Sequence, residues 1–188
     1  SLSLTDEPAR TATIAAVKAA KAAGAVISYD PNYRASLWKD EKTAVEGMKS
    51  AIPLADVMKV SDEECLLMTG AATYEEAADQ LLAMGPKLVA VTLGGDGVLV
   101  ATKEGKQRVQ GFKVPVVDTT GAGDSFWGGF LSGFLALHKK VEDLTQEEIT
   151  RCAVQGNATA GLCVQKRGGI PAIPTREEVE KQLEEVIA

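Results

Sequence analysis

VVDTTGAGDSFWGGFLSGFLAL, residues 116–137, joins a β-branched start to an acidic, hydroxyl-bearing and glycine-rich turn, and then to an apolar run at helical spacing. Its periodicity reads as a strand end, a tight turn and a long helix. In an open α/β sheet ligands gather outside the carboxyl ends of the strands, and this turn lies at such an end. A helix starting within Gly121–Asp124 leaves its first N–H groups without intrahelical partners, and glycines let a ligand come close to that backbone. Those donors and the helix dipole favour an anion, and a phosphate satisfies several of them at once. Asp124 sets a carboxylate beside the same place, where it would repel a phosphate. The acid therefore suits a different task, removal of a proton from an attacking hydroxyl. The plainer alternative is a first-turn acid favoured by the dipole, with glycines kept for packing. Gly128, Gly129 and Gly133 each cost a helix about 1 kcal/mol against alanine and are expected to mark close contact with a neighbouring element. The chain has no GxxxxGK[ST], no GxGxxG after a strand with a downstream ribose acid, and no GxSxG, so other phosphate and nucleophile motifs do not compete.

Outward from that turn the pattern is regular. Thr5 or Asp6 is expected to cap a helix, with Glu7 and Pro8 in its first turn, that runs to Gly24. AVISYD reads as a buried strand, DPNYRASLW as a loop, Glu41 to Ala51 as a helix, and ADVMKVS as a second strand. SDEECLLMTG carries a capping serine and closes on Gly70; TYEEAADQLLAMG is amphipathic; KLVAVTL is a third strand. GGDG then turns the chain into VLVAT, and KEGKQRV returns as an antiparallel edge hairpin. Helices near Gln146–Gln165 and from Thr175 complete the order. Strand and helix alternating at this spacing imply right-handed crossovers and a mostly parallel α/β sheet with helices on its faces, read as one unit over 1–188.

Composition bounds what this unit can do. The 188 residues are 45% hydrophobic and 24% charged with a net charge of −6, which fits a soluble globular chain. No basic stripe tracks a nucleic acid, and no apolar run of roughly 18 residues crosses a bilayer. Cys65, Cys152 and Cys163 lack CxxC spacing and are expected to be reduced, buried thiols of a cytoplasmic protein. His138, before Lys139 and Lys140, suits a helix C-terminus better than acid–base work. SLSLTDEPAR reads as a strand end running into a capped helix, abruptly enough to suggest that the chain has lost its beginning; no secretory signal is visible.

DTTGAGD followed by SFWGGF closely resembles the C-terminal signature of the ribokinase-like (PfkB) carbohydrate kinases. DPNYRASLW resembles the loop after a strand in fructokinase-type members, KVSDEE stands where the family has Asn-x-x-Glu, and VTLGGDG looks like its nucleotide-side turn. The resemblance implies a ribokinase-like fold, with the N-terminal half and the lid absent. It implies transfer of the γ-phosphoryl group of ATP to a sugar hydroxyl, fructose first because of DPNYRASLW. By the same resemblance Asp124 is the base, and Gly121, Ala122 and Gly123 form the anion hole. Glu64 helps place Mg2+ and phosphate through water, with Ser61 replacing the motif asparagine. Thr92, Gly94 and Gly97 line the nucleotide, Asn157 lies near the adenine, and Arg34 stands on the sugar side, while Asp30 and Asn32 shape their loop. Asp118 and Thr120 occupy the loop where some relatives bind K+. The full-length protein is expected to be a homodimer, and the piece without its missing half to expose a sheet edge and be prone to aggregate. Ribokinase, 2-keto-3-deoxygluconate kinase and aminoimidazole riboside kinase remain alternatives, as does a nucleotide-binding regulator without catalysis.

Overall fold

A continuous apolar run must be covered on both faces, and LVAV and VLVA, with VMKV interrupted only by Lys59, become inner strands. The computed structural model, which describes residues 2–187, pairs five strands in chain order. These are β1 (Ser28–Tyr29), β2 (Val57–Ser61), β3 (Leu88–Thr92), β4 (Val98–Thr102) and β5 (Gly105–Val109). β1 and β2 are parallel, with Ser28 opposite Val57 and Tyr29 opposite Met58. β4 and β5 are joined through Lys103 and Glu104 alone, a connection open only to antiparallel neighbours, so the sheet is mixed with an antiparallel edge as expected. The chain divides into two compact units, one running to Val91 and including Ala101–Lys106, the other comprising Thr92–Val100 and the chain from Gln107 onward.

In the first unit, α1 (Ala9–Ala22) starts two or three residues later than the sequence suggests and buries none of its residues. Neither Thr5 nor Asp6 caps it. Thr5 instead closes a 3-10 turn over Leu2–Leu4, giving its N–H and hydroxyl to the Leu2 carbonyl, where a strand end was expected. Glu7 serves the helix start, accepting the Thr11 N–H at 3.1 Å. AVISYD shrinks to two strand residues, and just before them the Asp56 carboxylate takes the Ile27 N–H at 2.8 Å. α2 (Glu41–Ala51) begins on Asp40, whose side chain accepts from Thr43 N–H, and turns Ala44 and Met48 inward. α3 (Asp62–Thr69) starts with a capping box between Ser61 and Glu64 and stops at Gly70, φ 72°. α4 (Tyr74–Ala83) begins on Thr73 and buries Ala77, Ala78 and Leu81.

In the second unit, α5 (Ala122–Ala136) and α6 (Gln146–Cys163) approach closely enough that small residues must separate them. A Cβ at Gly129 would overlap the Thr159 hydroxyl, and one at Gly156 would stand 2.8 Å from the Phe126 ring. Gly133 faces Cys152 and Gln155 at 3.1–3.4 Å. Gly128 departs from the expectation: it is exposed, and nothing lies within 4 Å of where its Cβ would be. Successive residues of a helix are turned about 100° from one another, so Gly128 and Gly129 face different ways. His138, φ 51°, follows the helix end as anticipated, its N–H reaching the Leu135 carbonyl at 3.2 Å. α7 (Arg176–Ile187) closes the chain. The three cysteines are buried and free; burial pushes Cys65 up to about 12 and Cys152 up to about 11. No helix among the described residues is long and apolar enough to cross a membrane.

Candidate active site

The turn before α5 is built by glycine. Gly121 sits at the N-cap with φ 79°, and a Cβ there would stand 3.1 Å from the backbone of Gly169. The loop on either side is tied by Asp118, whose two carboxylate oxygens accept N–H groups from Thr120 and Gly168, each at 2.9 Å. The amides of Gly168 and then Thr120 hold this carboxyl down to about 2, so it is ionised.

The first turn of α5 has its donors partly spent and partly free. The Ala122 N–H closes a turn on the Thr119 carbonyl at 3.1 Å, and Ser125 makes the first helical bond to Gly121 at 2.8 Å. Among the described residues, the N–H groups of Gly121, Gly123 and Asp124 meet no acceptor. Of the three residues expected in the anion hole, Ala122 thus has its amide engaged, and the amide of Asp124 joins the unengaged set.

Two openings border this turn. On one side lies a cavity of about 800 Å³ lined by Thr92, Gly94, Gly97, Ala122 and Asn157 together with apolar residues such as Phe112 and Val164. All four positions assigned to the nucleotide therefore meet in one place. Gly97 takes φ 94°, and a Cβ there would collide with the Val109 carbonyl, so the β3–β4 turn can sit flush against the end of β5 only as glycine. Asn157 is buried, and its Nδ2 donates to the carbonyls of Gln110 at 2.9 Å and Val109 at 3.3 Å. It holds the cavity wall in place rather than offering that amide to a ligand. On the other side lies a groove of about 350 Å³ lined by Asp124, Ser125, Gly128 and residues of α6 and α7. Asp124 is exposed there, and the Ser125 hydroxyl beside it is buried with no partner among the described residues.

The first unit carries the remaining candidates. Glu64 is buried and accepts the Tyr33 N–H at 2.6 Å and the Ser61 N–H at 2.8 Å, one on each oxygen. With Arg34 it lines a hollow of about 390 Å³. Arg34 is exposed and donates to the Tyr33 carbonyl at 2.8 Å. Asp30 and Asn32 do shape the loop, Asp30 Oδ1 accepting the Asn32 N–H at 2.9 Å. The residue that sequence reading passed over is Lys59, buried in β2 and donating to Asp30 Oδ2 at 3.0 Å. A lysine inside an otherwise apolar strand was the available signal, since an ammonium is almost never fully buried unless paired.

A family model described as pfkB family carbohydrate kinase matches residues 2–176. "Probable fructokinase-5" of Arabidopsis thaliana is 43% identical over 183 residues, covering 96% of this chain and 56% of that protein. "Fructokinase-2" of Zea mays is 45% identical over 177 residues, covering 93% and 52%. The crystal structure of a fructokinase double mutant from Vibrio cholerae O395, in fructose, ADP and potassium ion bound form, superposes with a TM-score of 0.89 at 34% identity, covering 97% of this chain and 58% of that one. The chain thus spans little more than half the length of the relatives it matches.

Proposed function

The chain belongs to the pfkB family of carbohydrate kinases, and from that premise we propose that the complete protein transfers the γ-phosphoryl group of ATP to a hydroxyl of a small sugar, fructose first. The single observation that carries the reading is the first turn of α5, with unengaged amides at Gly121, Gly123 and Asp124 between a nucleotide-sized cavity and a groove that exposes the Asp124 carboxylate.

Phosphoryl transfer asks for alignment and stabilisation of charge on the moving group more than for covalent help. The amides of Gly123 and Asp124 and the positive end of α5 meet that charge where it develops, already oriented, with no reorganisation needed. Asp124, held at the same turn, takes the proton from the attacking sugar hydroxyl. Thr92, Gly94 and Gly97 shape the cavity for the nucleotide, and Asn157 braces its wall. Arg34 serves the sugar and phosphate side of its loop.

Magnesium fits this donor set in one particular way. Among the described residues no three His, Cys, Asp or Glu side chains come together as a cage, and both Glu64 oxygens already accept an amide. Such a site suits an ion that arrives with the phosphates and keeps its waters, and Glu64 would hold those waters. When bound, magnesium supplies positive charge to the terminal phosphates. For K+, Asp118 offers an ionised carboxylate beside the Thr120 backbone, with one lone pair on each oxygen left over from the two amide bonds. Three free thiols suit a cytoplasmic enzyme, and a homodimer is the expected assembly of the complete protein.

The test is Asp124→Asn in the complete enzyme. A positioned base contributes about 10² to 10⁴-fold, or about 3 to 5 kcal/mol of barrier, so turnover should fall at least about 100-fold while ATP affinity by calorimetry changes little. Turnover near the unsubstituted level would remove Asp124 as base. A panel of fructose, ribose, 2-keto-3-deoxygluconate and aminoimidazole riboside, assayed with the same protein, identifies the acceptor; ATP binding with no acceptor phosphorylated would favour a regulator.

A further inference from the structure

We propose that Lys59 and Asp30 are positioning residues for Glu64, their ion pair acting through the turn at Asn32 to hold the Tyr33 amide against the Glu64 carboxylate. The inference rests on the reading of Glu64 as the residue that meets the magnesium and phosphate end of the nucleotide through water, and goes beyond it by naming what keeps Glu64 in place.

Lys59 lies in the middle of β2, between Met58 and Val60, which are fully buried, and is itself only 6% exposed. An ammonium taken out of water gains back only part of its hydration from one carboxylate, and packed apolar side chains of similar volume usually serve stability as well or better. Stability alone therefore gives little reason for a lysine here. Its geometry gives one. Nζ donates to Asp30 Oδ2 at 3.0 Å, which leaves Oδ1 turned to the Asn32 N–H at 2.9 Å. That bond fixes a turn in which Asn32 adopts φ 46°, a left-handed conformation that asparagine tolerates better than most residues. The next amide, that of Tyr33, then points at Glu64 Oε1, 2.6 Å away.

The second amide on Glu64 comes from the same construction. Ser61 stands two residues beyond Lys59 on β2 and gives its N–H to Glu64 Oε2 at 2.8 Å, while its hydroxyl accepts the Glu64 N–H at 3.1 Å. Glu64 is thus gripped by two backbone segments, the loop from Asp30 to Tyr33 and the end of β2, and the ion pair ties those two segments together. Burial raises the Asp30 carboxyl above its ordinary value, and the Lys59 ammonium opposes that rise. Without Lys59, Asp30 is left as a half-buried carboxylate that has lost this cation, its hold on Asn32 is no longer enforced, and Glu64 retains only the Ser61 amide in a fixed place.

The experiment measures ADP binding by calorimetry across a magnesium titration in the complete enzyme. Glu64→Gln, Lys59→Met, Asp30→Asn and Lys59→Arg are compared with the unsubstituted protein, and melting temperatures confirm the fold of each. Outer partners of a metal-directed group usually matter about 10 to 100-fold. Lys59→Met and Asp30→Asn should each raise the magnesium concentration for half-maximal binding at least about tenfold, and Lys59→Arg should bring it back toward the starting value. In the double variant the Lys59→Met change should add nothing once Glu64 is Gln, because both act at one point. Hydrogen exchange at the Tyr33 amide should quicken in Lys59→Met. A magnesium requirement raised by Glu64→Gln but untouched by Lys59→Met and Asp30→Asn overturns the positioning role alone, as would full additivity in the double variant. A requirement unchanged by Glu64→Gln removes the reading of Glu64 itself and the inference with it. Should Lys59→Met not fold, Asp30→Asn, which keeps the side-chain volume, decides the matter by the same readings.

Discussion

Two adjacent glycines on α5 should respond to alanine with opposite signs. Gly128 is exposed, and its new methyl group would meet nothing within 4 Å. Gly128→Ala should therefore show the bare helix preference, a gain of about 0.8 to 1 kcal/mol. Gly129→Ala collects the same gain but drives its Cβ into the Thr159 hydroxyl, with Thr159 Cβ at 2.8 Å and the Gln155 carbonyl at 3.1 Å. Thr159 cannot turn aside cheaply, because its hydroxyl donates to that same Gln155 carbonyl at 2.8 Å. Overpacking of this kind costs about 1 to 3 kcal/mol, and giving up the hydrogen bond about 0.5 to 1.5 more. The net loss is about 0.5 to 3.5 kcal/mol, so the two variants should differ by about 1.5 to 4.5 kcal/mol. Urea denaturation with unchanged slope reads this directly, and at about 2 to 4 °C per kcal/mol for a chain of this size the melting temperatures should move apart visibly. Equal stability of Gly128→Ala and Gly129→Ala would show that α5 does not press on α6 at Thr159, and the packing account of that helix pair would fall.

Gly97→Ala combines a positive φ with a collision against the Val109 carbonyl. It should weaken ATP binding at least about tenfold by calorimetry, the equivalent of about 1.4 kcal/mol, and normal affinity would separate the β3–β4 turn from the nucleotide cavity. Asp118 has a folded-state value of about 2, below the ordinary carboxylate value of about 3.9. A lowered carboxyl contributes stability that is present above about pH 4 and is lost as the pH falls toward about 2. The gap in unfolding midpoint between the native protein and Asp118→Asn should thus hold steady from pH 5 to 7 and close below about pH 4; a gap that grows on acidification would contradict the two amide bonds. Cys65 and Cys152, buried and pushed up to about 12 and about 11, should resist an aromatic disulfide reagent at about pH 8 and react only once the chain unfolds. Rapid labelling of either thiol in the folded protein would place it at an accessible surface.

Much of this molecule was legible because the signals are short-ranged. Ser61 followed three residues later by Glu64, with Gly70 to close, sets out α3 before any tertiary contact forms, and the structure supplies the capping box and a left-handed Gly70. The two-residue link between VLVAT and GKQRV requires an antiparallel pair whatever lies around it. The glycine turn before Asp124 likewise announces a helix start whose amides lack partners, and the DTTGAGD signature names the family from the same residues. Caps, turns and periodicity reach a few residues along the chain, so a linear reading can see them.

What the tertiary structure decided lies at longer range. Lys59 finds Asp30 at a separation of 29 residues, Glu64 finds the Tyr33 amide at 31, and Asn157 commits its amide to the Gln110 carbonyl at 47. Gly128 and Gly129 are indistinguishable as letters, yet one faces open space and the other a threonine on α6. Which side of a helix meets a neighbour, and which buried charge meets another, depends on how sheet and helices press together, because desolvation and close packing act between surfaces that only folding brings into contact.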